Sequence, residues 1–304
     1  MKITVLGGGG VRSPFLAKSL ISNAERVGLT EIVFMDSNEE KLNIYGKIAE
    51  KIAEKINPGI KFWLTSDPVA ALKDANFIIT TIRVGEDKAR VLDERIALNN
   101  GILGQETTGA GGFAMSLRSI PKILEYCKMI EQYSAEGAML FNFTNPSGIV
   151  TQAIHLSGFK NVYGICDAPS EFIKQVAKVL EKPLEEVSAE CFGLNHLSWF
   201  RNIKVNGKDA MEELLAKKEL YTETEMKFFD PELVKISGNL LLNEYLYYFY
   251  YRERAEKAII NSEKTRGETI LEINKQMTKE LKEVDIDKDT DKAFEIYMRN
   301  YMKR

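Results

Sequence analysis

Cys166 and Asp167 stand side by side after the strand-like run Asn161-Val162-Tyr163-Gly164-Ile165, and Pro169 closes the stretch. The carboxyl end of a strand is where an α/β enzyme places its chemistry, although cysteine is also a common small core residue. The chain has two histidines. His155 falls late on a helical pattern and reads as a surface residue, whereas His196 follows Gly193-Leu194-Asn195, about thirty residues after Cys166. A thiolate and an imidazole from separate loops form a half-site for a divalent transition metal, with positions left for substrate oxygens.

The elements that must position these groups begin at the N-terminus. Ile3 to Leu6 are apolar and largely β-branched, as in a strand buried on both faces. Gly7-Gly8-Gly9-Gly10 follow, then Pro14 and the helical pattern Phe15-Leu16-Leu20-Ile21. Strand, glycine loop and helix can turn backbone N–H groups toward a phosphate. The strict G-x-G-x-x-G pattern is not met, because Arg12 stands at the third glycine position, and a plain tight turn is the competing reading. The second strand, Glu31–Met35, ends in Asp36. A carboxylate there can accept both hydroxyls of an adenine ribose and would repel a 2′-phosphate, which favours NAD over NADP.

Asn38 is placed to cap a helix over Glu39–Ile56, ended by Pro58-Gly59. Strands are expected at Lys61–Thr65 and Phe77–Ile82, the second delivering Arg83, a candidate cofactor contact, to the same edge as the glycine loop. The charges along Asp87–Asn99, including Arg90, Asp93, Glu94 and Arg95, read as a solvated helix face. Gly101–Phe113 holds five glycines in thirteen positions and reads as an irregular loop that is flexible or lets backbone approach a ligand. A helix over Leu117–Tyr133 leads to a strand at Met139–Phe143, then Thr144-Asn145-Pro146, where Asn145 can face whatever lies above the sheet.

The alternation of strands and helices to residue 167 predicts a Rossmann-like doubly wound parallel sheet as the first domain (1–167). The remainder (168–304) reads as a mixed α+β, helix-rich substrate, metal and oligomerisation domain. Trp199–Val205 with Asn206-Gly207 looks like a strand entering a turn. The aromatic run Leu240–Tyr251 reads as a helix buried between domains or subunits, rather than a platform for stacking sugars.

At 304 residues, with 44% hydrophobic and 28% charged residues, the chain has ordinary globular composition. A net charge of −3 argues against a dedicated nucleic-acid binder. No apolar run approaches the roughly 20 residues needed to span a bilayer, and the N-terminus lacks a signal-peptide core and cleavage site. Three irregularly spaced cysteines suggest a reducing compartment, so a cytoplasmic location is expected.

Several motifs occur together and in order: Gly7-Gly8-Gly9, Arg83-Val84-Gly85, Asp93-Glu94, Gly104-Gln105-Glu106-Thr107, Asn142-Phe143-Thr144-Asn145-Pro146, Cys166 and Gly193-Leu194-Asn195-His196. In combination the sequence resembles glycosidase family four, the NAD- and metal-dependent glycosidases that include 6-phospho-β- and 6-phospho-α-glucosidases. The resemblance implies that Gly7, Gly8, Gly9, Gly10 and Asp36 hold NAD and that Cys166 and His196 bind a divalent metal, usually manganese. It further implies that Arg90 and Asn145 contact a phosphorylated disaccharide or glucoside. Glu106 would raise the basicity of a catalytic base, and Asp167 would protonate the departing glycosidic oxygen. The implied reaction is oxidation at C3, deprotonation at C2, elimination, water addition and re-reduction. Homo-oligomers, dimers or tetramers, are usual in the family.

Two departures stand out. Gly10 replaces a common serine and Ser13-Pro14 a frequent Thr-Pro, both of which still permit close backbone approach. The resemblance also places the catalytic tyrosine in a segment beginning after Arg304, and Tyr297 and Tyr301 lack its Arg-Gly-Gly-like context. The expectation is therefore either a truncated chain or loss of the usual base. Segments around Gly104–Tyr126 and Leu194–Phe200 look closer to β-specific relatives, and Asp167 closer to α-specific ones; β is favoured. A lactate/malate-type dehydrogenase and a non-catalytic sugar-phosphate or NAD sensor are the alternatives.

Overall fold

The computed structural model describes residues 1–304. The chain divides into two units, Met1–Ile165 with Ser262–Arg304, and Cys166–Asn261.

Six strands form the sheet of the first unit: β1 (Lys2–Leu6), β2 (Glu31–Met35), β3 (Lys61–Thr65), β4 (Phe77–Thr80), β5 (Met139–Asn142) and β6 (Val162–Gly164). All pairs are parallel, in the order β3-β2-β1-β4-β5-β6. Successive residues supply opposite faces. Leu6, Val33, Ile78, Leu140 and Val162 pack in one apolar cluster, and Ile3, Val5, Ile32, Phe34 and Ile79 in another. That is why these strands read as continuous apolar runs. The register aligns their carboxyl ends: Met35 pairs with Leu6, Leu6 with Thr80, Thr80 with Asn142 and Asn142 with Gly164. Everything just after those residues is thereby brought to one edge, and the strand order reverses between β1 and β4, where such sheets bind nucleotides.

Ser262–Arg304 departs from the expected division at residue 167. Its helices Arg266–Lys282 and Thr290–Tyr301 contribute Met277, Leu281, Ala293 and Tyr297 to a cluster with Ile44, Tyr45 and Ile48 of the first unit. Residues distant in sequence therefore complete the nucleotide-type unit, and the second unit is Cys166–Asn261 alone.

In that second unit β7 (Val187–Leu194) and β8 (Leu197–Val205) form an antiparallel hairpin, joined by β9 (Lys208–Asp209) and β10 (Leu241–Leu242) on β8. Asn206 and Gly207 both have positive φ, +48° and +79°, as the Asn-Gly signal requires for a tight turn. The helix Ala168–Val179 seats Phe172 and Val176 against Phe200 and Ile203.

Three expectations are corrected. The helix over Glu86–Asn99 does not present a solvated charged face: Asp93 and Glu94 are buried, with Arg118 paired to Asp93 and Arg90 to Glu94. Gly101–Phe113 is not irregular throughout, because a helix begins at Gly109 and runs to Tyr133. Its glycines serve self-packing, since a Cβ on Gly111 would lie 2.4 Å from the Gln105 carbonyl oxygen. The aromatic run is not one buried helix. Leu241–Leu242 is β10, Asn243 then caps a fresh turn by accepting the Tyr245 N–H (3.3 Å), and a short helix follows at Tyr247–Tyr250.

Candidate active-site residues and the family they define

The glycine loop folds onto β2. Gly7 and Gly8 both donate to the Met35 carbonyl (2.8 Å each), Gly10 donates to Gly7 O (3.0 Å), and Gly9 donates to Asp36 Oδ2 (2.9 Å). The loop glycines' N–H groups thus bond inward, contrary to the expectation that they point at a phosphate. What the glycines provide is closeness: a Cβ on Gly8 would lie 2.5 Å from the Phe34 Cβ. Asp36 Oδ1 accepts the Asn38 N–H (2.9 Å), so both carboxylate oxygens are oriented by backbone at the end of β2. Burial raises the Asp36 carboxyl above its ordinary value, against the pull of those two hydrogen bonds. Ribose hydroxyls would supply the further donors that a desolvated carboxylate lacks, so this edge fits a dinucleotide.

Beyond β4, four candidate residues come together within the first unit. Arg83 Nη1 lies 2.5 Å from Glu106 Oε1 and Arg90 Nη1 2.7 Å from Glu106 Oε2; Asn145 also bonds to the Glu106 carboxylate. Burial by itself would raise the Glu106 carboxyl, but the two guanidiniums, with help from Asn145, reverse this and hold it below the usual range. Glu106 is therefore a fixed anion. Asn145 is presented by a polar network at the sheet edge, in which Thr80 Oγ1 donates to Asn142 Oδ1 (2.9 Å) and Asn142 Nδ2 to Thr151 Oγ1 (3.0 Å).

Within the second unit, Cys166 Sγ lies 3.6 Å from His196 Nε2 and 3.9 Å from Asp167 Oδ1. Metal–sulfur and metal–nitrogen bonds of about 2.3 and 2.1 Å at a near-tetrahedral angle put the two donor atoms about 3.6 Å apart. The pair fits one shared divalent ion. No group of three or more His, Cys, Asp or Glu gathers there, so the protein donors are a pair and not a closed cage. His196 occupies the two-residue bend between β7 and β8 with φ of +62°, a left-handed conformation uncommon for a non-glycine residue. Gly193 permits that hairpin, since a Cβ there would lie 2.6 Å from the Leu197 carbonyl oxygen. Asp167 is the N-cap residue of the Ala168–Val179 helix.

Sequence reasoning missed two groups. Tyr245 stacks on the His196 ring, with centroids 4.6 Å apart and planes 23° apart. This places a phenol, a group able to act as a base, beside the metal-capable pair. Tyr297 is excluded from such a role, for it is fully buried and its hydroxyl donates to Val11 O (2.9 Å). The second group is Glu225, whose carboxyl accepts the Glu244 N–H (3.0 Å) at the start of the turn carrying Tyr245. Burial, with the Glu244 charge, raises Glu225 to about 7. The Asn-Glu-Tyr capping signal was the available clue to that turn.

A parallel sheet in this order, with an oriented acidic residue after β2, defines a dinucleotide-type α/β protein, here carrying a cysteine–histidine pair in a second unit. Residues 2–182 match the model described as Family 4 glycosyl hydrolase, and residues 191–302 match the Family 4 glycosyl hydrolase C-terminal domain. The chain belongs to family 4 of the glycosyl hydrolases. It is 36% identical to the probable 6-phospho-β-glucosidase of Bacillus subtilis, over 91% of this chain and 65% of that protein. Its structure resembles the 6-phospho-β-glucosidase of Thermotoga maritima solved with manganese, NAD+ and glucose 6-phosphate, with TM-score 0.83, 32% identity, and coverage of 92% of this chain and 66% of that one. It also resembles a 6-phospho-α-glucosidase from gut microorganisms in complex with NAD and Mn2+, with TM-score 0.82, 28% identity, and coverage of 93% and 69%. The chain spans about two thirds of the length of the curated relatives it matches.

Proposed function

We propose that this protein hydrolyses the O-glycosidic bond of 6-phospho-glucosides, β-linked ones by preference, using NAD and a divalent metal, manganese first. The observation that carries the proposal is the Cys166–His196 pair at 3.6 Å with Tyr245 stacked on the imidazole. When bound, NAD would supply a reversible hydride acceptor for the sugar's C3, and the metal would supply Lewis acidity at its hydroxyl oxygens. Gly7, Gly8, Gly9 and Gly10 let the cofactor approach, Asp36 accepts its ribose hydroxyls, and the amino end of the Ser13–Ser22 helix favours its phosphates. Arg83 is assigned to the cofactor, and Arg90 and Asn145 to the sugar phosphate.

In the second unit Cys166 and His196 would hold the metal. Tyr245 removes the proton at C2, and Asp167 gives a proton to the leaving oxygen at C1. In the first unit Glu106 is held as a fixed anion by Arg83 and Arg90. A thiolate ligand requires reduced cysteine, and all three cysteines are free, which supports a cytoplasmic setting. No helix is long and apolar enough to cross a membrane. Leu92 and Ile96 on one helix, and Phe113 and Leu117 on the helix packed beside it, are exposed apolar pairs that support a homo-oligomer.

The assay is cleavage of p-nitrophenyl α- and β-glucoside 6-phosphates with NAD, manganese and a reductant. The β-anomer should be cleaved only with both additions present. Cleavage without NAD would overturn the proposal. Cleavage of the α-anomer alone would retain the mechanism and transfer the assignment to the α-specific reading, which Asp167 favours.

A further inference from the structure

Glu94 is a buried acid that the proposed reaction does not use. It is 1% exposed, and its two oxygens have different partners. Oε1 accepts from Arg90 Nε (2.8 Å), and Oε2 accepts the backbone N–H of Gly267 (2.8 Å). Gly267 is the second residue of the Arg266–Lys282 helix, whose positive amino end favours a carboxylate. Thr265 and Glu268 close a capping box on that same turn, and Arg95 pairs with Glu268, so the helix end is itself held against the Glu86–Asn99 helix.

The space around Glu94 is set by backbone. A Cβ on Gly267 would lie 2.6 Å from Glu94 Oε2, and a Cβ on Gly104 would lie 2.3 Å from the Glu94 carbonyl oxygen. Glycine at both positions lets the acid sit closer than any other residue would allow. Arg90 then has one carboxylate at Nε and a second, Glu106, at Nη1 (2.7 Å). A guanidinium is a rigid plane, and two carboxylates on two of its nitrogens fix both its position and its tilt.

We infer that Glu94 is a positioning residue for sugar-phosphate binding: anchored by Gly267 at the start of the Arg266–Lys282 helix, it fixes the plane in which Arg90 meets the ligand. The inference rests on the assignment of Arg90 to the sugar phosphate. It gives the Asp93-Glu94 motif a division of labour, with Asp93 bonding Arg118 on the neighbouring helix and Glu94 orienting the ligand-binding arginine.

The test is a double-mutant cycle read by calorimetric titration of glucose 6-phosphate into protein loaded with NAD and manganese. Glu94→Gln keeps the shape, removes the charge and turns an amide N–H toward one of two donors. It should weaken glucose 6-phosphate binding about tenfold, as loss of a charged hydrogen bond does, while NAD affinity is unchanged. In an Arg90→Gln background the same substitution should have almost no further effect. An equal loss in both backgrounds, or no loss in either, overturns the inference. If Arg90→Gln alone leaves binding intact, the assignment of Arg90 falls first, and the inference with it. Gly267→Ala displaces the carboxylate without altering its charge and should weaken sugar-phosphate binding in the same direction. It keeps the test decisive if Glu94→Gln does not fold.

Discussion

Tyr245 shows what residue types can and cannot disclose. Cys166 and His196 were legible as a pair because few side chains bind a transition metal and the chain has only two histidines. Tyr245 is one of five tyrosines between Tyr245 and Tyr251, and nothing in that run distinguishes the one that faces His196. The choice is made by β10 pairing with β8 and by Asn243 capping the turn. If Tyr245 is the base, Tyr245→Phe should lower kcat by about a hundredfold or more, the usual contribution of a positioned base. Glucose 6-phosphate, NAD and manganese affinities, measured by titration, should hold. A variant that retains wild-type kcat would remove Tyr245 from the mechanism. Glu106 was found by motif, but its role as a fixed anion depends on Arg83, Arg90 and Asn145, which are separate from it in sequence and meet it only in the fold.

At the scale of elements, the strands were legible because a sheet buried on both faces demands apolar runs, and the turns because Asn206-Gly207 accepts positive φ. Helix limits near glycine were not. Glycine is a poor helix former, yet three open a helix: Gly109 takes a φ of +63°, and only glycine fits at Gly111 and Gly112 against the backbone of Gln105 and Thr107. Gly111→Ala sets two effects against each other: alanine gains about 1 kcal/mol in helix propensity, while overpacking against backbone costs about 1–3 kcal/mol. With the contacting atom a carbonyl oxygen at 2.4 Å, the clash should win, and chemical denaturation should show net destabilisation. A more stable variant would mean that the helix start shifts readily.

The turn carrying Tyr245 has a pH signature of its own. Glu225 moves from an ordinary 4.5 to about 7 on folding, so the folded state holds its proton more tightly. Its contribution is fully present below pH 4.5 and is lost as pH rises toward 7, on the order of 2 kcal/mol after allowance for partial exposure. Denaturation of the metal-free protein between pH 5 and 8 should therefore show Glu225→Gln losing less stability with rising pH than the wild type. Identical pH slopes would contradict the assignment.

For the whole molecule, family membership decides between the readings that composition left open: the lactate/malate dehydrogenase alternative shares the sheet but gives way to family 4 of the glycosyl hydrolases. The sensor alternative drew its force from a missing tyrosine, and the proposed hydrolase answers it with Tyr245, whose ring stacks on His196. What the sequence concealed at this scale was the return of Ser262–Arg304 to the first unit. Their amphipathic helices advertise a buried face but not its partner. Tyr45 and Ile48 meet Met277 and Tyr297 across more than two hundred positions, a pairing set by apolar packing together with bonds such as Tyr45 to Thr278 and Lys47 to Asp287.

The central claim is that the glycosidic bond breaks after proton removal at C2, and this step leaves an isotopic record. Hydrolysis of a β-glucoside 6-phosphate in deuterium oxide, with NAD and manganese present, should yield glucose 6-phosphate carrying deuterium at C2 by NMR and mass spectrometry. Full turnover with hydrogen retained at C2 would contradict the account.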